Sequence, residues 1–325
     1  MWPGGPVPRC DGGSAEPRSA PGGATRTRRR GVRMTANSET LDIDGRSVEL
    51  SKGDKVMYPD DGFTKRDVVC HYRAVAPVML PHVRGKPLTL RRFPDGIGSG
   101  GFFQKEASEH FPDWIRVVSV PQRGADDSVH HVVADDAATL VYLANQACLE
   151  FHVALSTADD LEHPVLAVVD LDPPESTGIA DLRSITKDMC DRFRDAGLDP
   201  FVQATGGKGF HVVAPLDARR DFDDVRAHMA EIADRAAQED ERLTTQQRKD
   251  KRGDRVFLDI NRNAYGQTMI APYSLRARPG APAATPIDLA EISRATPNRH
   301  GLANMTRRLA RKADPWARID RHAAV

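Results

Sequence analysis

Residues 166–172 read Leu-Ala-Val-Val-Asp-Leu-Asp, an apolar run that closes on two aspartates one residue apart. The run has the length and character of a buried strand. Alternate residues of a strand share a face, so Asp170 and Asp172 point one way while Leu171 points to the core. An unpaired buried carboxylate is costly and a second on the same face adds repulsion, so positive charge is expected beside them.

The hydrophobic pattern elsewhere supplies the frame. Two short runs over 41–50 flank Asp44-Gly45, a hairpin signal. Thr64 with Asp67 three residues later has the form of a capping box, and apolar positions 68, 69, 72, 75, 76 and 79 predict a helix up to Pro81. Strand-like segments follow at PLTLRRF, GFFQK, IRVVSV and HHVVA, then a helix over about 136–147, then the strands LEFHVAL and PVLAVVDLD. A helix over 178–196 stops at Gly197, a left-handed cap. FVQAT and GFHVVAPL form strands joined through Gly206, Gly207, Lys208 and Gly209. A helix over 221–240 precedes the charged stretch QQRKDKRGDR, the strands VFLDI and TMIAPYSL, and closing helices near 287–294 and 299–312. Strands grouped between helices favour an α+β fold with mixed sheets over a doubly wound one.

Composition narrows the class without naming a partner. The 46 basic and 46 acidic residues cancel, so only their distribution is informative. Residues 1–34 carry seven Arg, and the last twenty hold six Lys or Arg against two Asp, so both ends are basic. The head is rich in Gly, Pro and Arg and lacks the apolar core of a secretory signal. It reads as disordered, with Met34 opening a more protein-like sequence and a basic nucleic-acid-binding arm as the alternative. Cysteines at 10, 70, 148 and 190 are too irregular for a disulfide framework or a zinc site, which fits a reducing cytoplasm. No apolar run approaches the ~20 residues of a membrane span.

A third acid, Asp259, ends the apolar run of VFLDI. Three strand-borne carboxylates suit two hard cations about 3.5–4 Å apart. Taken alone, Asp-Leu-Asp-Pro is equally well a strand running into a turn. The stretch TGGKGFHV offers backbone N–H groups, Lys208 and His211 to an anion, although it is not a Walker A loop, since Gly209 stands where Ser or Thr is required. A plain glycine-rich hairpin explains it as well. Acids for metal plus a cationic loop for phosphate imply phosphoryl or nucleotidyl transfer, with Arg262 and Arg276 as further phosphate partners. Lys55 and Lys65 are additional cations, and of Phe102 and Phe103 only one can face the core, leaving its neighbour as a base-stacking platform.

The ordered set KVMYP, TKRDVVCHY, KPLTLRRFPDG, FFQK, LEFHV, VVDLDPP, TGGKGFHV, VFLDINRN and APYSLRAR resembles the polymerase domain of bacterial non-homologous end-joining ligase D, a branch of the archaeo-eukaryotic primase superfamily. The likeness runs from about 41 to 315. It implies a primase-polymerase fold of mixed, largely antiparallel sheets flanked by helices, over 39–315, between a basic extension (1–38) and a tail (316–325). It implies that Asp170, Asp172 and Asp259 bind two catalytic Mn²⁺ or Mg²⁺ ions. Thr205, Lys208 and His211 then hold the triphosphate of an incoming NTP or dNTP, with Arg276 assisting and Arg262 and His152 lining the pocket. Lys55 and Lys65 match positions that engage DNA and a downstream 5′-phosphate, and Phe102 and Phe103 match aromatics that support the template. Thr205 departs from the usual serine but keeps the hydroxyl.

The function so implied is template-dependent nucleotide addition, favouring ribonucleotides, to 3′-OH ends at gaps or double-strand breaks. Ku and a separate ATP-dependent DNA ligase are the expected protein partners, and the expected location is the bacterial cytoplasm, at the nucleoid during repair. The rivals are a metal-dependent nuclease using the same acids and a non-catalytic DNA-end binding module.

Overall fold

The computed structural model describes residues 38–324; the basic head and its predicted disorder lie outside the described residues. The chain opens with β1 (Ser38–Ile43) and β2 (Arg46–Ser51), an antiparallel hairpin turning at Asp44 and Gly45 as the pattern predicts. The short pair β3 (Val56–Tyr58) and β4 (Phe63–Thr64) leads into α1 (Lys65–Val83). The predicted capping box is present: Asp67 N–H donates to Thr64 Oγ1 at 3.3 Å and Thr64 N–H to Asp67 Oδ2 at 2.8 Å. This helix continues through Pro77 and past Pro81 to Val83. An interior proline costs about 3 kcal/mol locally, and burial of Val75, Ala76, Met79, Leu80 and Val83 around the two prolines offsets it.

Next come β5 (Pro87–Arg92), β6 (Phe102–Gln104), β7 (Arg116–Pro121), β8 (Ser128–Val133), α2 (Ala137–Asn145) and β9 (Cys148–Ala154). The second half holds β10 (Leu166–Asp172), α3 (Ile179–Asp195), β11 (Phe201–Ala204), β12 (Phe210–Pro215), α4 (Phe222–Glu239), β13 (Leu243–Thr244), β14 (Val256–Asp259), β15 (Thr268–Ile270), β16 (Thr285–Ile287) and α5 (Met305–Leu309). Two six-stranded sheets result, one ordered β13-β14-β10-β12-β11-β16 and the other β15-β9-β5-β8-β7 with β6 alongside β5. Apart from the parallel β13–β14 contact, the pairings are antiparallel. The mixed α+β architecture is therefore observed.

Period-2 alternation sorts each strand onto two faces. In the first sheet, Ala167, Val169, Leu171, Val212 and Leu258 pack with Leu182, Met189, Phe193, Val225 and Met229 of α3 and α4 as one core. The other core joins α1 and α2 to the second sheet, through Leu88, Leu90, Leu149, Phe151 and Val153. The remaining faces of the two sheets meet across a cleft, where the buried Gln203 of β11 donates from Nε2 to the Ile270 carbonyl of β15 at 3.0 Å.

Several predicted elements are shorter than their pattern. TMIAPYSL is extended only over Thr268–Ile270, because Pro272 has no N–H for a ladder and Tyr273 adopts φ 66°. The closing helices are a 3₁₀ turn at Leu289–Arg294 and five α-helical residues at Met305–Leu309, too short to be held by helix propensity alone. The predicted tail docks: Trp316 is 2 % exposed and Ala324 pairs with Leu216. Cys148 and Cys190 are buried free thiols. Among the described residues no helix is long and apolar enough to cross a membrane.

Two glycines are required for different reasons. Gly197 follows α3 at φ 78° and completes a Schellman cap, with Leu198 N–H bonded to the Phe193 carbonyl at 2.9 Å, but a Cβ there would meet nothing within 4 Å. At Gly209 a Cβ would lie 1.7 Å from the Leu171 carbonyl oxygen, because β12 begins where the loop crosses β10. Gly197→Ala is expected to cost about 1 kcal/mol in urea denaturation, by backbone strain alone. Gly209→Ala is expected to cost about 3 kcal/mol or prevent folding, since backbone cannot move aside as a side chain can. Equal losses in the two variants would contradict the close approach.

Candidate active site

Strand register builds the first wall. Asp170 sits opposite Asp259 of β14 on one side and opposite His211 of β12 on the other, and His211 sits opposite Gln203 of β11. Directly opposed residues share a face, so Asp259, Asp170, His211 and Gln203 form one row across four strands, with Asp172 two residues further along β10. His211 Nε2 lies 3.5 Å from Asp170 Oδ1, and Arg262 Nε lies 3.9 Å from Oδ2. Burial works against ionisation of Asp170, but His211, then Arg262 and Arg276, outweigh it and hold the carboxyl below the usual aspartate range.

The glycine-rich loop closes on itself above this row. Thr205 Oγ1 donates to the Gly209 carbonyl at 2.8 Å and accepts from Gly207 N–H at 3.2 Å. The hydroxyl, which serine and threonine share, therefore sets the loop shape. Arg276 braces the loop by donating from Nη1 to the Thr205 carbonyl at 3.1 Å. Lys208 is half-exposed and, among the described residues, meets only the exposed Glu175, at 3.1 Å, a surface pair that contributes little and leaves the ammonium available to a ligand.

The second wall comes from β9, where the decisive group is one that sequence reasoning missed. Glu150 is 1 % exposed. Its carboxylate accepts from Arg91 Nη1 at 3.3 Å on both oxygens and from Ala277 N–H at 2.9 Å, with His152 Nε2 at 3.1 Å and Arg276 Nε at 3.4 Å. Burial again opposes ionisation, and His152, Arg276 and the Ala277 N–H overcome it, so Glu150 is held well below the usual glutamate range. His152 moves down chiefly through burial, against the pull of Glu150, and donates from Nε2 to that carboxylate. The signal was present in the sequence: an acid within the apolar strand LEFHV raises the same question as Asp170.

One cleft of about 160 Å³ is lined by His152, Asp170, Asp172, Thr205, Lys208, His211, Arg262 and Arg276, all expected there, together with Thr268, Ile270 and Arg278, which were not. Asp259 stands beside Asp170 in register without lining the cleft. Lys55, Lys65, Phe102 and Phe103 also lie off its wall. Phe102 and Phe103 are 49 % and 60 % exposed, so neither faces the core, because β6 is a three-residue strand paired only with β5. Arg92 lies 5.8 Å from the Phe102 ring and Arg91 5.2 Å from the Phe103 ring, whose edge reaches His152 at 5.4 Å. Lys55 pairs with Asp95 at 2.7 Å. Lys65 is buried, and burial followed by repulsion from Lys52 and Lys55 lowers its pKa.

The donor set suits hard cations: Asp170, Asp172 and Asp259 present carboxylate oxygens on one face, with Asp170 kept ionised. Among the described residues no three such groups are gathered into a closed cation cluster. Asp172 Oδ2 is 3.2 Å from Arg252, whose guanidinium lies 3.6 Å from the Phe257 ring centroid, and Asp259 Oδ1 accepts from Asn261 N–H and Nδ2 at 2.9 Å. The acids fit a divalent ion once Arg252 yields Asp172.

Residues 64–316 match the family model described as LigD, primase-polymerase domain. The multifunctional non-homologous end joining protein LigD of Mycobacterium bovis is 33 % identical over 287 residues, covering 86 % of this chain and 38 % of that protein. The bifunctional non-homologous end joining protein LigD of Bacillus subtilis is 28 % identical over 272 residues, covering 83 % of this chain and 43 % of that one. The chain thus spans less than half the length of these curated relatives. The polymerase domain of Mycobacterium tuberculosis ligase D, solved in complex with DNA, superposes with a TM-score of 0.78 at 32 % identity, over 84 % of this chain and 98 % of that one.

Glu150→Gln keeps the shape but leaves Arg91 and Arg276 without a buried counter-charge, and is expected to lower stability by about 3 kcal/mol at pH 7 in urea denaturation. The folded pKa of Glu150 is depressed, so its contribution is complete above the ordinary glutamate pKa of about 4.3 and fades as pH falls below that value. The gap between wild type and variant should accordingly narrow in acid; a gap constant from pH 7 to pH 3 would contradict the charge assignment.

Proposed function

The chain belongs to the LigD primase-polymerase domain family of nucleotidyltransferases, and we propose that it adds nucleotides, ribonucleotides by preference, to the 3′-OH of a DNA strand under template direction at gaps or double-strand breaks. One observation carries the reading: a row of carboxylates abuts a cationic cleft whose two walls come from different sheets. A nuclease needs the acids but not the Thr205, Lys208, His211 and Arg276 set. A passive end-binding module needs neither the acid row nor the buried charge that keeps it ionised.

Asp170, Asp172 and Asp259 would hold two divalent ions, Mn²⁺ or Mg²⁺. When bound, such ions lower the pKa of the attacking 3′-hydroxyl and offset charge on the departing pyrophosphate. The chain's own cations do the rest of the electrostatic work. Backbone N–H groups of the 205–209 loop, Lys208 and His211 bind the triphosphate, and Arg276, fixed between Glu150 and the Thr205 carbonyl, presents its charge in a set orientation. His152 and Arg262 line the pocket beside the nucleotide. Arg252 leaves Asp172 for this arrangement to form.

Phe102 and Phe103 serve as the template platform, where stacking is worth about 1–3 kcal/mol per base. Their exposure, and the arginines beside both rings, support that role. Lys55 and Lys65 receive the downstream 5′-phosphate, and the mutual repulsion of Lys52, Lys55 and Lys65 supports that role. The DNA held by the Mycobacterium tuberculosis domain supports the same class of partner here. Ku and a separate ATP-dependent DNA ligase complete the proposed repair assembly, by analogy with relatives named for non-homologous end joining.

Extension of a labelled primer across a short gap with a downstream 5′-phosphate, in Mn²⁺, tests the assignment. Asp172→Ala should lose about a thousandfold or more in rate while DNA affinity stays within about twofold. His211→Ala should raise the apparent nucleotide KM more than it lowers kcat. Wild-type rates in Asp172→Ala, or cleavage independent of added triphosphate, would overturn the polymerase reading. In gel-shift titrations at increasing salt, Lys55→Ala should reduce the slope of log K against log[salt] by about 0.9, the value for one lost phosphate contact. An unchanged slope would remove Lys55 from the DNA surface.

A further inference from the structure

A second cavity, of about 280 Å³, lies between the end of α1, the edge strand β15, the start of β10 and the C-terminal segment. It shares no lining residue with the candidate active site. Pro81, Val153, Leu166, Met269, Pro272 and Trp316 give it a largely apolar wall. Two features are out of balance with that wall. The Lys86 ammonium lines it, and among the described residues its one hydrogen-bond partner is the His82 carbonyl, 3.3 Å away. Burial brings the Lys86 pKa down to about 8. Trp316 also lines this wall, and its buried indole N–H has no acceptor among the described residues.

His82 does not fill the gap. Its Nε2 is engaged 2.7 Å from Asp314 Oδ2, and that carboxylate also accepts from the Tyr273 hydroxyl at 2.7 Å. Asp320, which is exposed, also lines the cavity and is its one other charged group; the buried groups left without a strong partner, Lys86 and the Trp316 indole, are donors with apolar surface around them. A buried donor left unmet costs about 1–3 kcal/mol, so an acceptor entering with its own apolar body gains on both counts.

We infer that this cavity is a binding site for a small amphipathic anion, an aliphatic or aromatic carboxylate, whose head group pairs with Lys86 and whose apolar body lies against Leu166, Met269 and Trp316. One cation, with the Asp320 carboxylate also on the wall, does not suit a polyphosphate, which separates this ligand class from the nucleotide of the main site. The volume, just under the usual lower bound of about 300 Å³ for drug-sized ligands, restricts it to a compact molecule.

The test uses the full chain with 8-anilinonaphthalene-1-sulfonate as fluorescent probe and decanoate and decanol as competitors. The probe should bind saturably at one site, decanoate should displace it at least tenfold more effectively than decanol, and decanoate should raise the melting temperature. Lys86→Met should weaken decanoate at least tenfold while leaving decanol unchanged, and Lys86→Arg should restore decanoate to within about threefold. Absence of saturable binding overturns the site, and so does equal decanoate affinity in wild type and Lys86→Met. None of these readouts depends on nucleotide transfer.

Discussion

An ionised carboxylate between two packed sheets must be matched by positive charge, and Asp170 and Glu150 impose that requirement from opposite walls of one cleft. Arg276 lowers the pKa of both acids, while His211 and Arg262 serve Asp170, and Arg91 and His152 serve Glu150. Arg262 and Arg276, two of the cations that make the cleft receptive to an anion, are thus held in place by the acids they neutralise. A ligand phosphate would enter a pocket whose charges are already oriented, so little of the binding energy is spent on arranging them.

Local signals carried much of the frame. The Thr64–Asp67 box, the Asp44-Gly45 turn and the Gly197 stop each depend on residues a few positions apart, and each is present where the pattern placed it. The acidic pair of β10 was legible because strand geometry alone puts Asp170 and Asp172 on one face. What could not be read was the long-range pairing. Asp259 reaches Asp170 only through β10–β14 register, between segments nearly ninety positions apart; shared metal-binding chemistry grouped the three acids, while periodicity could not set them side by side.

The omissions have physical causes. Glu150 could not be assigned because its partners Arg91, Arg276 and the Ala277 N–H come from distant segments that only the fold brings together. Arg91 and Arg252 lie in basic stretches, where one guanidinium looks like another until its partner is known. Phe102 and Phe103 defeated the alternation rule because a three-residue edge strand has no layer packed on either side. Pro77 and Pro81 failed to end α1 because tertiary burial outweighs the cost of a lost hydrogen bond.

The cross-sheet row of Gln203, His211, Asp170 and Asp259 also bears on how faithfully function accompanies folding. A one-residue slip in any of its strands would turn that strand's polar side chains toward α3 and α4 and its apolar ones into the cleft. Such a misfolded chain would expose oily surface at the moment it lost its chemistry. Competence and solubility are therefore inherited together, and cellular quality control that recognises only exposed hydrophobic surface would, in removing sticky molecules, also remove inactive ones.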